Sequence, residues 1–209
     1  MNGNVIYLPA QKADSGQLAK LHSNNITGGF LSSLGNEFLS LLYSTIICSD
    51  HSFCFIAKKD GEIIGFVSAT SNIKRLYFDF ALSNFASALL LLAKILRPSV
   101  IKPLLETLSY PARKKIKGVP SPELLSISVT KDFRGQGISN KLFDLAVDGF
   151  KKRNISKFKI AVGSNLLQAQ RFYEKMGCKY ISEIEVHKGE KSKVYVYDIK
   201  INENTSIKS

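Results

Sequence analysis

The sequence predicts a mixed α/β fold, a central and mostly antiparallel sheet flanked by helices, and two features carry that prediction. Strand-like runs at 53–57 and 63–69 flank Lys59, Asp60 and Gly61, turn residues that make the pair an antiparallel hairpin. Further on, the alternating segment 124–129 leads into a glycine-bearing turn, an amphipathic stretch from Gly137 and an apolar run at 158–162, the order of a βαβ unit. With 209 residues and 44% hydrophobic content the chain can bury one sizeable core, so 1–201 reads as a single domain and 202–209 as a polar tail.

Taken in order, 5–8 is a short first strand and 13–24 a helix whose Leu18 and Leu21 fall three apart. In 33–46, Phe38, Leu41, Leu42 and Ile46 share a helical face, with Ser33 and Asn36 offered as the cap. After the hairpin comes a helical insertion at about 76–120. Phe85 to Ala93 is apolar nearly all round, Lys94 interrupts it and Pro98 ends it. That is too short for a bilayer span, which needs about 20 apolar residues. Segment 85–96 is left to pack on the core, on a second subunit as a homodimer, on a membrane surface as a peripheral contact, or over the substrate as a lid. Prolines 98, 103, 111, 120 and 122 divide the stretch up to the next strand into short pieces, with one brief helix at 102–107.

The stripe Ile138, Leu142, Leu145, Ala146, Gly149 defines a helix of about four turns, ending near Lys151, Lys152 and Arg153, where positive charge suits a helix C-terminus. A last helix over 165–175 places Ala169, Phe172 and Met176 on one face, with Gly177 as its left-handed terminator. Strands at 178–186 and 194–199 close the domain across a turn at 188–191.

The formal charge of +12 points to an anionic partner. Between Lys94 and Lys117 seven basic residues face one acid, Glu106, so half of the excess lies in that segment. Cys48, Cys54 and Cys178 have no zinc or disulfide spacing and read as small buried hydrophobes in a reducing compartment. His22, His51 and His187 are scattered, and no metal is expected. The first residues lack the basic and apolar regions of an export signal, which makes a cytoplasmic location the expectation.

The chemistry is concentrated at 129–139. Gly135 and Gly137 permit backbone angles and approach distances that a Cβ obstructs. The first amides of the following helix have no intrahelical acceptors and lie at its positive end, so a phosphate is a natural occupant. A Rossmann dinucleotide site does not fit, because the turn lies two-thirds along the chain without a full G-x-G-x-x-G.

With these motifs the chain resembles the Gcn5-related N-acetyltransferase (GNAT) superfamily, apart from the insertion. Arg134, Gly135, Gln136, Gly137, Ile138 and Ser139 correspond to that family's pyrophosphate-binding turn, with Ser139 where the family has Gly or Ala. Asn165, Ala169, Phe172, Tyr173 and Gly177 correspond to its second signature. The resemblance implies acetyl-CoA as cosubstrate, with Ile127 and Val129 on the strand that meets the pantetheine arm, Asn165 touching that arm and Tyr173 near the thioester sulfur as proton donor. It implies direct attack by a primary amine in a ternary complex.

Glu123, at the entrance to the central strand, is the candidate base acting through water, although Pro120 and Pro122 beside it equally suit an exposed loop acid. Ser126 and Ser128, on one side of that strand, are candidates to line the cleft. The acceptor is expected to be a small-molecule amine, an amino sugar or its nucleotide-linked form among the candidates, since an anionic substrate would account for the charge. The region 27–43 is where its pocket is expected. Two other functions compete. One is an acetyl-CoA-binding regulatory or scaffold protein without turnover. The other is a nucleic-acid-associated protein using Arg113 to Lys117, disfavoured because no aromatics interleave that cluster.

Overall fold

The computed structural model describes residues 3–26, 30–84, 118–187 and 190–200. The apolar segment 85–96, the brief helix at 102–107, the basic run 94–117 and the tail 202–209 lie outside these. So do residues 27–29 of the acceptor region and the tip, 188–189, of the last hairpin.

Strand β1 (Ile6–Pro9) precedes helices α1 (Ser15–Asn25), α2 (Phe30–Ser33) and α3 (Gly35–Cys48). Strands β2 (Ser52–Lys59) and β3 (Glu62–Thr70) lead to α4 (Ile73–Ser83). Then come β4 (Glu123–Val129), α5 (Ile138–Lys151), β5 (Lys157–Gly163), α6 (Leu167–Lys175), β6 (Lys179–His187) and β7 (Glu190–Asp198). The strands form one sheet in the order β1-β2-β3-β4-β5-β7-β6. All neighbours are antiparallel except β4 and β5, which run parallel across the α5 connection. Asp60 and Gly61 at the β2–β3 turn have φ of 51° and 86°, the left-handed pair of a type I′ hairpin.

β2 and β3 are apolar almost throughout because both faces of the sheet are covered. Phe53, Ala57, Ile64, Val67 and Ala69 join the core under α5, with Leu142, Phe143, Ala146 and Phe150. Cys54, Ile56, Ile63 and Phe66 belong to the core under α1 and α3, with Leu18, Tyr43 and Ile46. Aromatic contacts tie α5 to the sheet, Phe150 stacking on Phe158 at 4.4 Å and meeting Phe53 edge-on at 5.1 Å.

Gly149 completes that contact. A Cβ there would fall 2.5 Å from Phe53 Cε2, and Phe53 is held on its other sides by Phe150 and by the Arg153 guanidinium, 4.5 Å from its centroid. Gly149→Ala is therefore expected to cost about 1–3 kcal/mol by overpacking, more than the ~1 kcal/mol of helix propensity it gains. A urea midpoint above that of the native chain would contradict this packing.

Several elements depart from the sequence reading. α3 opens without a side-chain cap, so Ser33 and Asn36 do not serve as one, and α2 precedes it. Cys48 is exposed, unlike buried Cys54 and Cys178. Two residues beyond buried Ile46, it sits about 200° around the helix. α6 begins at Leu167, leaving Asn165 in the preceding corner. β7 begins at Glu190, not at residue 194, because its backbone pairs with β5 on one edge and β6 on the other whatever its side chains.

Candidate active site

At the end of β4 the Thr130 amide donates to the Ile64 carbonyl at 2.8 Å, clipping the strand end to β3. A short 3-10 turn, Lys131–Phe133, follows. Arg134 then folds back, its Nε donating to the Val129 carbonyl at 3.0 Å and its Nη2 to Asn25 Oδ1 at 3.5 Å. Gln136 Nε2 donates to the Asp132 carbonyl at 3.3 Å. These bonds fix a loop in which Gly135 and Gly137 both have φ of 78°.

Among the described residues, a Cβ at either glycine would meet no atom within 4 Å. Glycine is thus demanded by the handedness of the backbone, which would cost another residue about 1–2 kcal/mol, while the space in front of it stays open. Among the described residues nothing accepts the amides of residues 135–140, and the first one satisfied is that of Lys141, donating to the Gly137 carbonyl at 3.1 Å. The result is a run of outward donors at the positive end of α5, an anion cradle of main-chain atoms.

The cradle opens onto a gap in the sheet. β4 and β5 are registered only at Glu123 and Lys159, with the Lys159 amide donating to the Pro122 carbonyl at 2.9 Å. β4 is otherwise paired to β3, and β5 to β7. Ser126 faces Ser68 while Leu124 faces Ala69, so Leu125 is an extra residue, a β-bulge that bends β4. Past Glu123, the edges of β4 and β5 that face each other carry no ladder. Val129 and Ile127 lie along this edge, which covers the six residues from Leu124 to Val129, about 20 Å. An extended ligand with amides of its own can add there as a strand.

At the closed end Glu123 is the buried first residue of β4, not a loop acid, and its Oε2 lies 3.3 Å from Lys159 Nζ. Burial raises its carboxyl above the ordinary value, and Lys159 pulls in the opposite direction. Burial, with the Glu123 charge added, likewise raises the Tyr77 phenol of α4. Glu123 and the cradle occupy opposite ends of β4, so the structure does not bring these predicted site residues together.

On the face under α1 and α3, His22 Nδ1 and Tyr43 Oη are 2.7 Å apart and both residues are buried. Burial raises the Tyr43 phenol well above its ordinary value, and Ser126 and Ser68 act in the opposite sense. Burial holds His22 at a pKa of about 4, so the imidazole is neutral at physiological pH. Ser126 therefore faces a neutral polar cluster.

The other wall is the corner from β5 to α6. Asn165 is exposed there, its Oδ1 only 2.9 Å from where a Cβ on Gly163 would stand. Tyr173 is buried beside Phe143 and Phe172, with ring centroids at 6.4 and 5.3 Å. Burial and the Cys178 thiol hold its phenol well above 10.

Lys159, Gln170 and the His22–Tyr43 pair were not singled out from sequence. For Lys159 a signal existed, since it is the polar residue between Phe158 and Ile160 on a strand placed parallel to β4. Gln170, a polar residue on the buried face of α6 beside Tyr173, had none.

A family model described as an acetyltransferase (GNAT) domain matches residues 115–192, the stretch that holds β4, the cradle, β5 and α6. No curated protein matches the chain by sequence. Among solved structures, the ribosomal-protein-S18-alanine N-acetyltransferase of Escherichia coli aligns with a TM-score of 0.60 at 11% identity, over 97% of this chain and 98% of that one. An N-acetyltransferase of Staphylococcus aureus aligns with a TM-score of 0.60 at 14% identity, over 94% and 99% of the two chains. An acetyltransferase of Thermus thermophilus aligns with a TM-score of 0.57 at 12% identity, over 95% and 100%. At these identities the likeness is one of fold, and it extends over the whole of each relative. The chain thus has the fold of these acetyltransferases, and the stretch from residue 115 to 192, with the glycine turn at the end of β4, matches the GNAT domain.

Proposed function

We propose that this chain is an acetyltransferase of the GNAT superfamily, moving the acetyl group of acetyl-CoA to a primary amine held at the β4–β5 gap. One observation carries the reading: a run of amides at 135–140 that nothing among the described residues accepts lies just beyond a strand that pairs with β5 only at Glu123. A diphosphate fits the first feature and an amide-bearing arm the second. Acetyl-CoA has both, and it supplies the activated acyl group. Gly135, Gln136, Gly137, Ile138 and Ser139 would hold the diphosphate, Arg134 would brace the loop, and Ile127, Val129 and Asn165 would receive the arm.

Glu123 is the base in this reading. Its burial strengthens the carboxylate as a proton acceptor while Lys159, 3.3 Å away, pulls the other way, and in this reading it draws the proton from the incoming ammonium through water. Tyr173 keeps its proton at physiological pH and donates a hydrogen bond to the departing sulfur. Full transfer would run uphill, from a phenol above 10 to a thiolate whose acid has a pKa near 8.5, roughly that of a cysteine thiol. The positive charge of the chain favours an anionic acceptor, and nucleotide-linked amino sugars head the classes to test. Peptide N-termini join them, because the Escherichia coli relative is named for an alanine acceptor.

The test is thiol release from acetyl-CoA across amino sugars, their nucleotide forms, polyamines, aminoglycosides and peptides. Amine-dependent release with one class is expected. Tyr173→Phe should keep acetyl-CoA affinity and lower turnover about tenfold or more, the loss of one hydrogen bond to a charged atom. Bound acetyl-CoA with no release for any amine would refute the proposed reaction.

A further inference from the structure

Gln170 is almost wholly buried, and every polar atom of its side chain is engaged. Its Nε2 donates to the carbonyls of Gly163 at 3.1 Å and Ser164 at 3.0 Å, and its Oε1 accepts from Lys193 Nζ at 3.0 Å. Backbone bonds close the same corner, the Ser164 amide reaching the Lys191 carbonyl and the Leu166 amide the Gly163 carbonyl, both at 2.9 Å. Asn165 lies between these anchored residues. Its neighbours on both sides are tied down while its own side chain is exposed toward solvent.

We infer that Gln170 is a positioning residue for the pantetheine arm, acting by clamping the β5–α6 corner so that Asn165 is held ready at the gap. The inference rests on the acetyl-CoA reading above. Gln170 touches no reacting atom. A helix-borne amide that spans two consecutive carbonyls fixes the peptide plane between Gly163 and Ser164, and with it the direction in which the chain leaves β5. Without the clamp, the Ser164 carbonyl loses its side-chain partner and Asn165 samples several orientations, so part of the arm's binding free energy is spent on ordering it. Lys193 orients the amide by engaging its oxygen, which leaves both N–H groups for the carbonyls.

The experiment compares two ligands on Gln170→Met, a substitution of similar volume that removes all three hydrogen bonds. The ligands are acetyl-CoA and the nucleotide half of CoA without its pantetheine arm, both measured by calorimetry on the full chain. Acetyl-CoA is expected to bind at least about tenfold more weakly, the equivalent of one lost contact, while the nucleotide alone binds as to the native chain. Lys193→Met, which frees the amide oxygen but leaves both N–H bonds, should fall between. Equal weakening of both ligands would show a general loosening of the fold and overturn the inference, as would an unchanged acetyl-CoA affinity. A native chain that binds neither ligand would instead bring down the acetyl-CoA reading, and this inference with it.

Discussion

Gly137→Val is expected to weaken acetyl-CoA binding by at least about a hundredfold while leaving the fold intact. Gly137 has φ of 78°, and a Cβ there touches nothing among the described residues, so the packed core does not register the change. The effect falls on the backbone and on the ligand. A β-branched residue is strongly disfavoured at positive φ, and the loop relieves the strain by turning toward negative φ. That rotation swings the neighbouring amides away from their common focus at the start of α5. The valine methyl groups also occupy the open space in front of them. Two losses of about 1.4 kcal/mol each, one per misdirected charge-assisted hydrogen bond, already amount to a hundredfold. Calorimetry with acetyl-CoA, paired with a urea denaturation curve, checks both halves of the expectation. Native-like affinity in a folded variant would mean the diphosphate sits elsewhere.

The second large effect is on stability against pH. His22 is buried and its pKa is lowered to about 4 by desolvation, against 6.5 for an ordinary histidine. The unfolded chain therefore takes up the proton first as pH falls. Stability from this group is complete above about pH 6.5, declines as pH drops through that value and levels off below about pH 4. A difference of about 2.5 pH units corresponds to roughly 3 kcal/mol, a large share of a typical domain's stability. Glu123 acts in the opposite sense. Burial raises its folded pKa above 4.5, so its contribution is present in acid and is lost as pH rises through the folded value. The two are separated by a variant. His22→Asn retains an acceptor for the Tyr43 hydroxyl but does not titrate, and its urea midpoint should be nearly flat from pH 6.5 to 4 where that of the native chain falls. Parallel slopes in the two proteins would mean that His22 is not the acid-sensitive group.

Much of the backbone of the candidate site is legible in the sequence. Local backbone chemistry is written in local sequence, so the Asp60–Gly61 hairpin, the glycines at positive φ and the stripe of α5 were all foreseeable. Gly177 ending α6 belongs to the same class, with φ of 89°. Errors clustered where a residue's setting depends on distant partners. Glu123 read equally well as a loop acid, because nothing near it in the sequence reveals that Lys159 lies across the sheet. The first residues of β7 are too polar to read as a strand, yet the ladder to β6 from Glu190 and the ladder to β5 from Ser192 hold them there.

By itself, the sequence determined the β2–β3 hairpin, the glycine turn that follows β4 and the amphipathic helix that supplies the amides, since these follow from backbone propensity and the spacing of apolar residues. The tertiary structure alone decided that β4 and β5 meet at a single registered pair and then part, that Leu125 is the extra residue that bends β4, and that Gln170 and Lys193 secure the opposite wall. The physical reason is that an opening in a sheet depends on hydrogen bonds that are not made between strands far apart in the chain. No local pattern of residues specifies such an absence, because it arises only when both strands have been claimed along their other edges.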